Sequence, residues 1–155
     1  MNLAANQDAI TTSSRFVNHS EAIRGQIIPR NSIVFPKRGG AIATNKKRLV
    51  TTPILADSNV MAMICPNEFC LEYLATWLRT IDLAVLNSGT SVPQSNNKDV
   101  APLPIPVPPL AEQKRIITKV TELLSLCDAL EAKLTQAESA STQILSAAVH
   151  HLLQH

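Results

Sequence analysis

Apolar positions recur with two different periods along this chain, and the change of period divides it. In the first two thirds the apolar runs are short and are cut by Gly, Pro and Asn. Residues 32–35, Ser-Ile-Val-Phe, read as a β-type run. Residues 36–40, Pro-Lys-Arg-Gly-Gly, follow as a turn whose glycines are free to take positive φ. Residues 41–44 are expected as a second strand in a hairpin with the first. Residues 48–52 read as a third strand that stops at Pro53, and residues 59–64 as a core strand that ends before Pro66. Residues 67–80 change to helical spacing: Phe69, Tyr73 and Trp77 fall four apart, with Leu74 and Leu78 beside them. Core packing is the expected role of that aromatic stripe. Residues 87–99 are polar and read as a loop. Residues 101–109, APLPIPVPP, hold five prolines, too many for a central strand or a helix, and are expected to be extended.

After Pro109 the period becomes that of a long helix. Pro109 suits a first helical position, Glu112 suits a first turn, and no Gly or Pro follows through residue 155. Ile116, Leu123, Leu130, Ala137 and Ile144 lie seven apart. Val120, Cys127, Leu134, Ser141 and Ala148 form a second set, also seven apart. The alternating four-three spacing is that of a coiled-coil seam. A helix of ~42 residues would be ~63 Å long, while a compact domain of about 107 residues is only ~30 Å across. Such a helix is expected to project and to need a partner for its seam. Leu124 and Leu145 widen the stripe, and Ala137 and Ser141 make its centre thin. A hairpin broken at residues 136–142 is the alternative, although that stretch lacks Gly and Pro. The fold expected is α+β: a small mixed domain over residues 1–107, then a coiled-coil helix over residues 108–155.

Charge supports the same division. Residues 1–107 hold ten Lys or Arg against seven Asp or Glu, whereas residues 108–155 hold four against five. Within residues 22–56 there is no acidic residue, but there are seven basic ones, Arg24, Arg30, Lys37, Arg38, Lys46, Lys47 and Arg48. A surface of mixed sign is the usual pattern, so a polyanion is a natural partner for this stretch. Arg30, Lys37, Arg38, Lys46, Lys47 and Arg48 are the candidate DNA contacts, lying in or beside expected turns. Four to seven phosphate contacts predict a log–log salt slope of roughly −3.6 to −6.3. A solvated basic face without a partner is the plainer alternative. Asn and Gln in residues 90–98 could read adenine, but turn and helix capping is the expected use of most of them.

Catalytic signatures are missing. There is no GxGxxG after a strand, no GxxxxGK[ST] and no HExxH, and the carboxylates are sparse and unclustered. The expectation is no catalytic site, no metal and no cofactor. Cys65, Cys70 and Cys127 form no CxxC pair and read as small apolar residues. The opening residues lack the pattern of a signal peptide and no apolar run is long enough to span a bilayer, so the expected location is the cytoplasm.

Residues 89–134, GTSVPQSNNKDVAPLPIPVPPLAEQKRIITKVTELLSLCDALEAKL, closely resemble the end of a target recognition domain and the start of the conserved helical region in the specificity subunit of type I restriction-modification systems. The most specific part runs from Pro108 to Ile116, PPLAEQKRI. Gly89-Thr90, Val92-Pro93-Gln94, Leu126-Cys127-Asp128 and Leu130-Glu131 support it. Upstream, residues 32–40 look like that family's strand and glycine turn, and residues 72–78, EYLATWL, like its helix before the loop. The resemblance implies a chain that binds double-stranded DNA without cutting or methylating it. Two recognition domains would read a bipartite site, and two helical regions would pair as an antiparallel coiled coil. Separate modification subunits would methylate adenine and restriction subunits would translocate and cleave. Only one domain and one helical region are present here, and the start of the domain is short. A half subunit, a truncated reading frame and a fragment are all compatible with this. The first would form a homodimer through its helix, while a damaged domain would leave a dimerisation or docking module with little DNA affinity.

Overall fold

The computed structural model describes residues 9–12, 27–86 and 94–153. They fall in two compact units, Ala5–Ile117 and Thr118–His155. The first is a mixed α+β unit, as expected, with six short strands among the described residues: β1 (Ala9–Ile10), β2 (Ile27–Ile28), β3 (Ser32–Pro36), β4 (Arg48–Val50), β5 (Ile54–Leu55) and β6 (Val60–Ile64). Four make one sheet in the order β1-β4-β3-β6, and β2 pairs with β5 in a second. β3 is antiparallel to both neighbours, with Val34 opposite Arg48 on one side and Ala62 on the other, while β1 runs parallel to β4.

β3 is apolar at consecutive positions because both of its faces are covered. Side chains alternate across a strand. Ile33 and Phe35 enter a core with Ile42, Met61, Leu74, Leu78 and Leu83, whereas Val34 enters a smaller one with Ile28 and Val50. A strand with one wet face would have alternated apolar and polar residues.

The hairpin predicted for residues 41–44 does not form. Gly40–Thr44 is a 3-10 helix, entered through Gly39 at φ 75° and closed by Asn45 at φ 50°. Ile42 is its one buried residue. The Thr44 hydroxyl donates to the Ala41 carbonyl at 2.6 Å, which favours the tight turn over a strand. The antiparallel partner of β3 is therefore β4.

Helix α1 (Leu71–Arg79) starts later than predicted, because Cys70 is its N-cap and the Cys70 Sγ accepts from the Tyr73 N–H at 3.3 Å. Phe69 lies before the helix and stacks on Tyr73, with ring centroids 6.3 Å apart. Tyr73, Leu74, Ala75 and Leu78 are buried, as the stripe predicts. Residues 97–99, expected as loop, belong to the short helix α2 (Asn97–Val100), with the Asp99 carboxylate accepting from the Asn96 N–H at 2.8 Å. The proline-rich residues 104–109 have no regular structure. They are more than a spacer: Leu103 and Ile105 pack on the main core, and the Tyr73 hydroxyl donates to the Pro106 carbonyl at 3.2 Å.

Helix α3 (Leu110–Leu153) has 44 residues and continues through residues 136–142, so the alternative of a hairpin is not taken. Its first turns belong to the first unit and the rest forms the second. Along the second unit the seam is open, with Leu123, Leu130, Leu134 and Ile144 between 51% and 70% exposed. Leu126, Leu145 and Val149 are also exposed.

Candidate nucleic-acid interface

The six basic candidates do not share one place. Antiparallel pairing of β3 with β4 puts residues 36–38 and 46–48 at the same end of the sheet. Lys37, Arg38, Lys46 and Arg48 therefore gather there; Lys37 is half-buried and the other three are exposed. Arg30 is also exposed but precedes β3 at the opposite end, beside Asn31, whose N–H bonds the Val50 carbonyl. The five residues of β3 put roughly 17 Å, at ~3.3 Å per residue, between Arg30 and the Lys37, Arg38 and Lys46 end, while Arg48, opposite Val34, lies nearer mid-strand.

Lys47 departs from expectation. It is 6% exposed, and its ammonium donates to Asn45 Oδ1 at 2.7 Å and to the Ile81 carbonyl at 2.6 Å. Burial lowers its pKa from the ordinary lysine value, with Asp82 pulling upward and Arg79 downward. Lys47 lies just before β4 and turns inward, while Lys46 and Arg48 on either side of it stay exposed.

Two amide side chains join the basic end. Gln94 forms an antiparallel bridge with Arg38, the Ser95 N–H donates to the Lys37 carbonyl at 3.0 Å, and Gln94 Nε2 donates to Asn96 Oδ1 at 2.8 Å. This end of the sheet thus sets cations, the chemistry that contacts phosphates, beside two half-buried amides, of which Asn96 caps α2, the expected use. The first part of the expected loop, residues 87–93, lies outside the described residues.

Gln113 is the polar residue that sequence reasoning missed. It is fully buried in the first turn of α3. Its Oε1 accepts from the Cys70 N–H at 2.8 Å, and its Nε2 donates to the Glu68 and Pro108 carbonyls at 2.7 and 2.9 Å. One amide thereby ties the start of α3 to the start of α1. A signal existed, since the heptad run back from Val120 lands on Gln113.

Cys65 packs against the main core, as its apolar neighbours suggested, whereas Cys127 does not lie in a core. Cys65 and Cys70 are half-buried and Cys127 is exposed. Burial pushes the Cys65 thiol up. Among the described residues no group of three or more His, Cys, Asp or Glu could hold a metal ion. None of the described helices is long and apolar enough to cross a membrane.

Residues 6–138 match the family model for the type I restriction modification DNA specificity domain. The chain belongs to that family. Its similarity to curated specificity domains is partial. It is 38% identical over 70 residues to the Type I restriction enzyme EcoDI specificity subunit of Escherichia coli, covering 45% of this chain and 16% of that protein. It is 50% identical over 42 residues to the EcoAI specificity subunit of Escherichia coli, covering 27% and 7%. Both relatives are therefore much longer than the stretch they share with this specificity domain. In fold it is similar to a chain from a structure described as the basis of complex assembly and conformational transition of the type I R-M system. That match has a TM-score of 0.60 at 17% identity and covers 77% of this chain and 29% of the other.

Proposed function

We propose that this chain recognises DNA sequence for a type I restriction-modification complex and performs no catalysis itself. The supporting observation is the cluster of Lys37, Arg38, Lys46 and Arg48 beside Gln94 at one end of the sheet, in a chain of the specificity family. Phosphate contacts by the cations would set register and affinity, and the amide-bearing edge beside them would meet base edges. Arg30 would reach a more distant phosphate. Residues 1–107 are assigned recognition and residues 108–155 association.

The open seam of α3 supports the second half of the proposal. Ile116, Val120, Leu123, Cys127, Leu130, Leu134, Ala137, Ser141, Ile144 and Ala148 would pack in a coiled coil with a second copy of the chain. Four of these carry side chains more than half exposed, at Leu123, Leu130, Leu134 and Ile144. Two copies would present two basic ends, suited to a bipartite site, to which modification and restriction subunits would add their chemistry. The same seam supports a second reading, a dimerising or docking module with little DNA affinity.

Fluorescence anisotropy with a labelled duplex, titrated at several salt concentrations, separates the two. Five phosphate contacts, four at the basic end and one at Arg30, predict a slope of roughly −4.5 in log affinity against log salt. Binding without salt dependence, or none below millimolar protein, would leave the docking module as the better reading.

A further inference from the structure

The central residue of the Lys46-Lys47-Arg48 run does something its neighbours do not. A buried ammonium is costly to desolvate, and both of its acceptors here are neutral oxygens, Asn45 Oδ1 and the Ile81 carbonyl. An apolar side chain could occupy the space without that cost. What it could not do is join two loops. Asn45 closes the 3-10 helix at φ 50°, and its Oδ1 accepts a second bond, from the Leu83 N–H at 3.0 Å. Lys47 and Asn45 together clamp the segment entering β4 onto the segment leaving α1. The residues on either side of Lys47 are exposed.

We infer that Lys47 is a positioning residue for DNA binding: with Asn45 it fixes the base from which Lys46 and Arg48 reach the phosphates, and it contacts none itself. The inference rests on the DNA-recognition reading above. Its physical signature is specific. Each phosphate ligand adds ~0.9 to the steepness of the salt slope. A residue that only holds a loop changes the cost of ordering that loop, which does not depend on counterions. Losing the clamp should therefore displace the binding line in parallel, and losing a ligand should flatten it.

The test uses the full chain and a 40-base-pair duplex of randomised sequence as probe. Wild type, Lys46→Met, Lys47→Met, Asn45→Gly and the Asn45/Lys47 double variant are titrated at four salt concentrations, at a temperature where far-ultraviolet circular dichroism shows each folded. Lys46→Met should flatten the slope by ~0.9. Lys47→Met should keep the wild-type slope and lose roughly tenfold in affinity at every salt, as for one charge-assisted hydrogen bond. Asn45→Gly retains the left-handed turn, and the double variant should be no worse than the poorer single one, because both remove one device. Amide exchange at Leu83 should accelerate in both single variants. If Lys47→Met does not fold, Asn45→Gly carries the slope and exchange measurements alone. The inference is overturned if Lys47→Met flattens the slope as Lys46→Met does, if its affinity is unchanged, or if the two losses multiply. Failure of the DNA reading is told apart because wild type itself would then bind without salt dependence, and this inference would go with it.

Discussion

Gln113 and Lys47 are both polar, buried and bonded to backbone, and they respond to mutation differently. Replacing Gln113 by Leu would leave the Cys70 N–H and the Glu68 and Pro108 carbonyls without their partner. Each buried group left unsatisfied costs about 1–3 kcal/mol, so Gln113→Leu should lower unfolding free energy by ~3 kcal/mol or more in urea titrations. For Lys47 the cost lies in its charge. Its folded pKa is lowered by burial, so the native state binds the proton less well than the unfolded chain does. Stability should rise as pH climbs through the folded pKa towards the ordinary lysine value, and fall back as the ammonium is restored below it. In Lys47→Met that part of the rise should be absent from urea midpoints measured as the pH approaches the ordinary lysine value. Neither residue was marked by composition. A lysine in a basic run looks solvated, and nothing in the run itself marks the residue just before β4 as the one of three neighbours that turns inward.

At the level of elements, legibility followed the number of residues that carry each signal. α3 was readable because ten positions repeat the same spacing, and α1 because an aromatic stripe recurs over about two turns from Phe69 to Trp77. The 3-10 helix was not, because a single buried side chain, Ile42, distinguishes it from a strand. β1, β2 and β5 are two residues long and lack any period at all. The basic end was legible as charge but not as a place, since only the β3–β4 register brings residues 37–38 and 46–48 together. Truncating Leu78, fully buried on α1, to Ala should cost roughly 2–5 kcal/mol in the same titrations. On α3, Leu123→Asp with Leu130→Asp should abolish self-association in sedimentation equilibrium, with the helix signal falling as the partner is lost. Cys127 offers an internal gauge. It is exposed in the single chain, so its alkylation should slow as protein concentration rises if the seam is the contact.

For the whole molecule, binding strength and binding geometry should separate. Neutralising Arg38, Lys46 and Arg48 together should flatten the salt slope by roughly 2.7, since they share one end of the sheet. Neutralising Arg30 alone should remove about 0.9 and leave the other contacts intact, because a strand's length lies between them. Loss of the whole salt dependence on removing Arg30 would contradict a two-place footprint.

The distal turns of α3 have one further property. From Ser139 to Val149 there is no charged side chain, while Ile144, Leu145 and Val149 face solvent. Ser and Thr recur among them, and such residues favour a helix less than Ala or Leu does. With no ion pairs along that stretch to steady it, its winding should depend on company. Diluting the protein should then fray those last turns before anything else loosens, visible as ellipticity at 222 nm that declines with concentration while the tryptophan signal from Trp77 stays level.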